Sequence, residues 1–363
     1  MDEKAKKTIL AASRAPTFNQ DMMLEIFSWL PVKSLLRFKC SCKTLQALIS
    51  NPYFIHLHSC RSPHSSINGF FIDDPNSSST FISLSNGAGI AAEKRMNSIL
   101  HSCNGLLCCS KAGSESQNYF ICNPATKECI QLPQLTRNSL LCCMNIAYDP
   151  STSSNYKVIC VWRSNFSTAL LQVEIYSSLT NSWRISGVPF SAPKISFSKA
   201  VFWNGSMNWL GGEGSFYSFG VEEELMKTVP LPRVLSLQNC MYFGEAQQSL
   251  HLVAINNHHA SRSSTTCLDV FQMKSFSSGW SIIHRINLSV VRNSAFHVIG
   301  LVKEQGEDVL ILSMPNRVLS YHVKEETLGK LYDESLHGLH CVLGLDSLYR
   351  VHPYSYTLCP LTL

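Results

Sequence analysis

Apolar residues near the start of the chain recur every three to four positions, which is the period of an amphipathic helix. Leu24, Phe27 and Leu30 form the first apolar stripe. Pro31 ends this helix, because proline disfavours helical conformation in the residue before it and cannot continue the hydrogen-bond ladder. Two more short helices follow before Asn51-Pro52, so the pattern predicts a three-helix unit.

The predicted helices have more apolar surface than they can bury among themselves. Each is too short to be stable singly. Together they carry more apolar residues than a three-helix core of about 40 residues needs, so part of their surface is expected to be covered by another chain. Tyr53–His58 is predicted to add one further helical turn or an extension.

From residue 98 onward the pattern changes to short strands joined in pairs by polar turns. Recurrent hairpins are separated by steps of 55, 43, 51 and 50 residues, measured between the turn markers Ala125, Thr180, Glu223, Lys274 and Lys324. Periods of about 40–50 residues with four strands each are typical of β-propellers. Five blades follow directly, and a sixth forms if Gly69–Leu84 joins His340–Leu358, which closes the ring.

A second kind of hairpin lies between these recurrent units. Its predicted turns are Tyr148-Asp149-Pro150, Asn204-Gly205, Gly244-Glu245 and Gln305-Gly306. Asn-Gly is a strong signal for a tight hairpin, because both residues tolerate positive φ. The predicted fold class is therefore α+β, with a small three-helix unit followed by an all-β propeller of six blades.

Composition narrows the class of protein. The 363 residues are 45% hydrophobic and 15% charged, and no apolar run reaches the roughly 18 residues of a membrane span. No continuous apolar segment near the N-terminus resembles a secretory signal. We therefore expect no membrane association, a cytoplasmic and/or nuclear location, and reduced thiols at the fifteen cysteines. No C-x₂-C pair begins a zinc site, so no metal is predicted.

The net charge of +5 is confined to the helical region. Residues 1–61 carry nine Lys or Arg and four Asp or Glu, whereas the remainder of the chain is neutral overall. The propeller region therefore has no electrostatic footprint for nucleic acid. The excess positive charge around the helices instead favours an acidic protein partner.

Sequence motifs for catalysis or cofactor binding are not found. There is no phosphate loop of the GxxxxGK[ST] type, no G-x-S-x-G elbow and no H-E-x-x-H. His258-His259 falls in a polar stretch, where a solvated loop is the simpler interpretation. No catalytic residue and no cofactor are predicted, and most of the tryptophans are expected to pack between blades, namely Trp162, Trp183, Trp203, Trp209 and Trp280.

Residues 18–58 resemble an F-box. The run Leu30–Cys40, LPVKSLLRFKC, is typical of plant F-box proteins, and Asn51–His58 closes the match. Two positions differ from the family, which usually has Leu-Pro at Phe18-Asn19 and Trp at Leu45. Both positions contact the adaptor in the family, so these differences are expected to weaken adaptor binding without abolishing it.

The rest of the chain resembles the F-box-associated domain of plant F-box proteins, which is kelch-like and recruits substrate. The matching motifs are NGLL at Asn104–Leu107, ICNPATKE at Ile121–Glu128, AYDP at Ala147–Pro150 and EIYSSLTNSWR at Glu174–Arg184. The expected organisation is a flexible tail over residues 1–17, an F-box over 18–58, a transition with the first propeller strands over 59–97, and an F-box-associated propeller over 98–363.

These resemblances imply a non-catalytic substrate-recognition subunit of an SCF-type cullin-RING ubiquitin ligase. The F-box would dock on a Skp-type adaptor, and through it on a cullin scaffold, while the propeller holds an unidentified protein substrate. The expected adaptor contacts are Leu24, Ile26, Phe27, Leu30, Pro31, Leu35, Leu36, Phe38, Cys40, Leu45 and Leu48. Lys33, Arg37 and Lys39 are expected to steer an acidic adaptor.

Two other functions stay open at this point. One is a free-standing propeller enzyme or glycan binder, which would need carboxylates, histidines or a metal converging on the propeller axis. The other is an F-box protein that acts outside the ligase, which the differences at Phe18-Asn19 and Leu45 allow.

Overall fold

The chain forms two compact units, Met1–Ser62 and Pro63–Leu363, in a computed structural model. The structure describes residues 20–61, 67–73, 80–84, 91–92, 98–112, 117–135, 140–163, 170–192, 194–212, 214–232, 239–256, 266–288, 296–314, 317–333 and 350–361. The first unit is helical and the second is all β, as the sequence pattern predicts.

The described part of the first unit contains four helices, where the sequence predicted three. They are α1 (Gln20–Phe27), α2 (Val32–Lys39), α3 (Lys43–Ile49) and α4 (Pro52–Arg61). The fourth begins where the third was expected to end, because Asn51 Oδ1 accepts the Tyr53 N–H at 2.8 Å and Pro52 occupies the first helical position. Asn51-Pro52 therefore both ends α3 and starts α4.

Helix α4 is fastened to the end of α1. The Arg61 guanidinium donates to Glu25 Oε2 at 2.7 Å and to Ser28 Oγ at 2.6 Å. The His58 ring N–H donates to the Leu30 carbonyl at 2.9 Å. These contacts join the end of α4 to the end of α1. The buried apolar residues of the unit are Val32, Leu35, Leu48, Ile49, Phe54 and Ile55.

The second unit is a propeller of six four-stranded antiparallel sheets, which confirms the predicted blade number. Blade 1 combines β1 (Gly69–Asp73), β2 (Thr80–Ser83) and β3 (Ala91–Ala92) with the last strand, β24 (Arg350–Tyr354). Blade 2 comprises β4 (Ser98–Cys103), β5 (Leu106–Ala112), β6 (Gln117–Asn123) and β7 (Glu128–Gln131). Blade 3 comprises β8 (Leu140–Ala147), β9 (Lys157–Arg163), β10 (Leu170–Ser177) and β11 (Ser182–Ser191).

The remaining three blades continue the same order. Blade 4 comprises β12 (Ile195–Trp203), β13 (Ser206–Gly211), β14 (Ser215–Gly220) and β15 (Met226–Pro230). Blade 5 comprises β16 (Cys240–Ala246), β17 (Ser249–Ile255), β18 (Cys267–Met273) and β19 (Ser281–Asn287). Blade 6 comprises β20 (His297–Glu304), β21 (Glu307–Met314), β22 (Arg317–His322) and β23 (Thr327–Asp333).

An apolar core lies at each junction between neighbouring blades, including the junctions that close the ring. Phe70 of β1 packs with Val309 and Ile311 of β21, which joins blade 1 to blade 6. On its other side, blade 1 packs Tyr354 of β24 with Ile99 of β4. The core is therefore distributed around the ring, and each blade depends on both neighbours.

Residues Arg350–Leu361, named here the closing segment, tie the two ends of the propeller together. Its strand β24 pairs with β1, and its tail continues along blade 2. The Asn123 side-chain amide donates to the carbonyls of Thr357 at 3.2 Å and Cys359 at 2.8 Å. The Leu361 N–H donates to Glu128 Oε2 at 3.1 Å. Ring closure thus uses side chains of blade 2 as well as the strand pairing of blade 1.

Two details differ from the sequence prediction. Cys122 and Cys129 are paired as a disulfide across β6 and β7, where reduced thiols were expected, because the strand register places them opposite each other. The predicted turn at Gly244-Glu245 is also wrong, since Gln247-Gln248 makes the turn with positive φ at both residues. Gly244 instead lies within β16, where a Cβ would collide with the Tyr242 hydroxyl.

Two tryptophans make the same contact at different blade junctions. Trp183 Nε1 donates to the Pro133 carbonyl at 3.0 Å, between blades 3 and 2. Trp280 Nε1 donates to the Pro230 carbonyl at 3.1 Å, between blades 5 and 4. Donor and acceptor are 50 residues apart in both cases, so the contact follows the internal repeat.

Replacing Trp183 by Phe is expected to lower the free energy of unfolding by about 1 kcal/mol, because an aromatic ring is kept at the site while the interblade hydrogen bond of the indole N–H is lost. Urea unfolding near neutral pH measures this change, and Trp280→Phe provides the repeat-related comparison. Unchanged stability in both variants would contradict a role for this contact in blade packing.

Candidate functional site

Helix α1 and the turn that follows it expose apolar side chains that are not part of the buried core of the helical unit. Met22, Ile26 and Trp29 are spaced by four and three residues, and they are 54%, 48% and 65% exposed. Phe38 of α2 is also exposed and stacks on Phe27, with ring centroids 5.3 Å apart. Met22, Ile26, Trp29 and Phe38 are named here the exposed apolar surface.

The indole of Trp29 is held in place despite its exposure. Its Nε1 donates to Glu25 Oε1 at 3.3 Å, and the Arg61 guanidinium carbon lies 5.3 Å from the ring centroid. Hydrogen bonds from Arg61 and then Trp29 hold the pKa of Glu25 below its ordinary value. An aromatic side chain oriented in this way loses little conformational entropy on binding a partner.

The predicted adaptor-contact residues fall into three groups by exposure. Ile26, Pro31, Phe38 and Cys40 are exposed. Leu24, Phe27, Leu30, Leu36 and Leu45 are half-buried. Leu35 and Leu48 are 0% and 7% exposed and pack in the core of the unit, so in this conformation they present no surface to a partner.

The sequence reasoning missed Met22 and Trp29 in this surface. It followed the stripe of Leu24, Phe27 and Leu30, which lies partly against the core. The spacing of Met22, Ile26 and Trp29 is an equally regular helical stripe and was the available signal. The family difference at Phe18-Asn19 lies outside the described residues.

Buried histidines lie on the innermost strands of blades 1 and 2, and one of them joins three blades. His101 of β4 accepts the Ile146 N–H at 3.2 Å through Nδ1 and donates to the Ala200 carbonyl at 3.1 Å through Nε2. It therefore links blades 2, 3 and 4. Burial lowers the pKa of His101 to about 4 and that of His352, in β24, to about 3.

Two carboxylates lie near one end of the inner strands. Burial, with a further contribution from Asp149, raises the pKa of Glu245 to about 7, although its backbone partner Gln248 opposes the shift. Asp149 accepts the N–H and the hydroxyl of Ser151 at 2.9 and 2.6 Å. Within the described ranges, no three His, Cys, Asp or Glu side chains are grouped to hold a metal ion.

A polar pocket of about 570 Å³ opens between blades 5 and 6 and is named here the blade 5–6 pocket. Its lining residues are Gln247, Gln248, Ser249, His251, Gln272, Lys274, Ile283, His284, Lys303 and Asp308. They come from two turns and several strands of two blades, so no continuous sequence motif predicts the pocket. The pocket combines two lysines and two histidines with one carboxylate.

The fold thus defines a class of protein in which a small helical unit precedes a six-bladed β-propeller. Residues 18–57 match the F-box domain model, and residues 49–277 match the F-box associated beta propeller domain model. The chain belongs to the F-box proteins that carry an F-box associated β-propeller domain. The kelch-like character of the propeller stays a prediction.

Curated relatives from Arabidopsis thaliana agree with this assignment. F-box protein At5g07610 is 33% identical over 373 residues, covering 86% of this chain and 85% of that protein. F-box protein At5g49610 is 25% identical over 372 residues, covering 94% and 97% respectively.

A chain of the "Crystal structure of Nidogen/Laminin Complex" aligns with a TM-score of 0.44 and 8% identity, over 80% of this chain and 99% of that one. Among the helices that the structure describes, none is long and apolar enough to cross a membrane.

Proposed function

We propose that this chain is the substrate-recognition subunit of an SCF-type cullin-RING ubiquitin ligase. The helical unit docks on a Skp-type adaptor, which connects to a cullin scaffold, and the propeller holds a protein substrate. Membership of the F-box family supports this function, and the exposed apolar surface is the observation that carries it. Such a subunit acts in the cytoplasm and/or the nucleus.

The subunit has a tethering role and no chemical step of its own. Holding a substrate beside the conjugating enzyme raises the effective concentration of its lysines to about the millimolar range for a well-matched geometry. Transfer of ubiquitin to these lysines is then accelerated by proximity and orientation. Specificity lies in the propeller, while the helical unit supplies the common connection.

The proposed adaptor contact centres on Ile26 and Phe38 and extends to Met22 and Trp29. Pro31, Cys40 and the half-buried Leu24, Phe27, Leu30, Leu36 and Leu45 surround them. Leu35 and Leu48 contribute by holding the helices in position. Lys33 and Arg37 add positive charge on exposed positions of α2, which favours an acidic partner.

Replacing Ile26 by Asp is expected to weaken binding to the Skp-type adaptor by about tenfold or more, because a carboxylate would have to be desolvated at an apolar interface. Calorimetric titration of the full chain with purified adaptor measures the dissociation constant. Leu35→Asp is unsuitable here, since it would place a charge in the core of the helical unit.

Leu179→Asp is the matched control, because Leu179 is a 68% exposed leucine in a turn of the propeller. It should bind the adaptor as the wild type does. Failure of the wild-type chain to bind the adaptor would refute the proposed function. Equal binding by wild type and Ile26→Asp would refute the assigned surface.

A further inference from the structure

The disulfide of blade 2 lies on the hairpin that holds the closing segment. Cys122 of β6 and Cys129 of β7 stand opposite each other in the strand register and are joined by the disulfide. The next pair along the two strands is Asn123 and Glu128. The Asn123 amide donates to two carbonyls of the closing segment, and the Glu128 carboxylate accepts the Leu361 N–H at 3.1 Å. Both strands therefore hold the closing segment directly beside the disulfide.

Strand β7 is the short edge strand of blade 2. It pairs with β6 at four positions, from Glu128 to Gln131. Glu128 stands at the turn end of this pairing, and the disulfide is one position further in. Beyond the other end, the Leu132 N–H donates to the Tyr119 carbonyl at 2.9 Å. Opening the disulfide is therefore expected to loosen the turn end of β7, which carries Glu128, while the far end of the strand stays attached.

The two cysteines differ in their exposure to solvent. Cys122 is 6% exposed, whereas Cys129 is exposed, as alternate residues of β7 are. Thiol–disulfide exchange begins with attack of a thiolate on a sulfur that it can reach. Cys129 is therefore the sulfur that a reductant attacks, and Cys122 is the leaving group.

The cellular location gives this disulfide its significance. Among the described residues, the other twelve cysteines are free thiols. Disulfides in the cytoplasm or nucleus face a pool of reduced thiols, and those found there are usually transient and redox-sensing. The present inference rests on the proposed function, which puts the chain in that pool. A single pair oxidised among free thiols is then expected to be reduced and reoxidised rather than to act as a permanent cross-link.

We propose that Cys122 and Cys129 form a redox modification site, reduced by a dithiol protein, that sets how firmly the closing segment is held. A thiolate of the reductant attacks Cys129 Sγ, the S–S bond breaks, a mixed disulfide forms, and Cys122 leaves as a thiolate that takes up a proton. The second thiol of the reductant then attacks the mixed disulfide and releases Cys129, which is protonated in turn. Two electrons and two protons pass to the chain, and the reductant becomes a disulfide. Oxidised glutathione reverses the step by accepting the two electrons and leaving as two glutathione thiols.

The test compares amide hydrogen exchange of the full chain after treatment with oxidised glutathione or with dithiothreitol, measured by mass spectrometry. Alkylation of free thiols first shows whether the bond between Cys122 and Cys129 is present in one sample and absent in the other. We expect the peptide that contains Leu361 to exchange about threefold or more faster after reduction, because its N–H loses the Glu128 carboxylate. Strand β17 in blade 5 should exchange equally in both samples.

Variants separate this pair from the other cysteines. Cys122→Ser/Cys129→Ser should exchange like the reduced wild type under both treatments. Cys267→Ser, at a half-buried free cysteine of blade 5, should keep the wild-type response. Equal exchange of the Leu361 peptide in oxidised and reduced wild type would overturn the proposal, and so would a response to dithiothreitol, or slow exchange, in the double variant.

The two proposals fail separately. Free thiols at both Cys122 and Cys129 after oxidation would overturn the redox site and leave adaptor docking untouched. The double variant should keep wild-type affinity for the Skp-type adaptor, because both cysteines lie in the propeller and the proposed adaptor contact lies in the helical unit. Ile26→Asp should keep the wild-type response to dithiothreitol for the same reason.

Discussion

Ending the chain at residue 349 is expected to abolish the folded propeller. The deletion removes β24, the innermost strand of blade 1, and exposes the backbone of β1 along its paired edge. It also removes four buried side chains: Tyr354 from the junction with blade 2, Cys359 and Leu361 from the core between blades 2 and 3, and Leu358. Because each blade depends on both neighbours, the loss is expected to spread around the ring. Thermal unfolding followed by circular dichroism should show no cooperative β-sheet transition.

A point variant tests the same closure without removing backbone. Asn123 is fully buried, and Asn123→Ala leaves the carbonyls of Thr357 and Cys359 without their donor. The expected loss is about 2–4 kcal/mol in the free energy of unfolding. Asn118→Ala, in the same strand, is the matched control because the Asn118 side chain accepts hydrogen bonds from the exposed side chains of Gln131 and Gln134. Equal stability of the two variants would contradict the role given to the closing segment.

The propeller was predictable because its signals are local and repeated. A strand shows its alternation within a few residues, and a hairpin shows its turn. Asn204-Gly205, for example, has φ of 49° and 69°, as the Asn-Gly signal requires. Ring closure followed from a count of blades, since a sixth blade could only come from the two ends of the domain.

Features that depend on tertiary packing were not predictable in the same way. Gly244 looked like a turn residue, but its missing Cβ makes room for Tyr242. Leu35 and Ile26 are both apolar helical positions, and only the packing of α3 and α4 decides which is buried. The blade 5–6 pocket assembles residues from 247 to 308 that no linear pattern connects.

Acidification is expected to destabilise the propeller, because its buried histidine rings are neutral in the folded state. Burial lowers the pKa of His101 and His251 to about 4 and that of His352 to about 3. The ordinary histidine pKa is about 6.5, so below that pH the unfolded chain binds protons that the folded propeller does not. Stability conferred by the neutral rings is therefore complete above pH 6.5 and is lost progressively down to about pH 4.

Glu245 acts in the opposite direction. Its pKa is raised to about 7 by burial, so the folded state takes up a proton before the unfolded state does, and stability rises as the pH falls from 7. The loss of stability from the three propeller histidines is larger than the gain from this single carboxyl. Lowering the pH from about 7.5 to 5 is expected to reduce the free energy of unfolding by on the order of 3 kcal/mol.

Urea unfolding at several pH values across this window measures the loss. His352→Gln should diminish the contribution of the propeller histidines by roughly a third, because one of the three buried rings of the described propeller no longer titrates. His297→Gln, at an exposed position of β20, serves as the control. Ordinary carboxyls titrate at about pH 4, so a loss between pH 6.5 and 5 belongs to the histidines. A free energy of unfolding that stays constant over this range would show that the folded propeller does not hold these rings neutral.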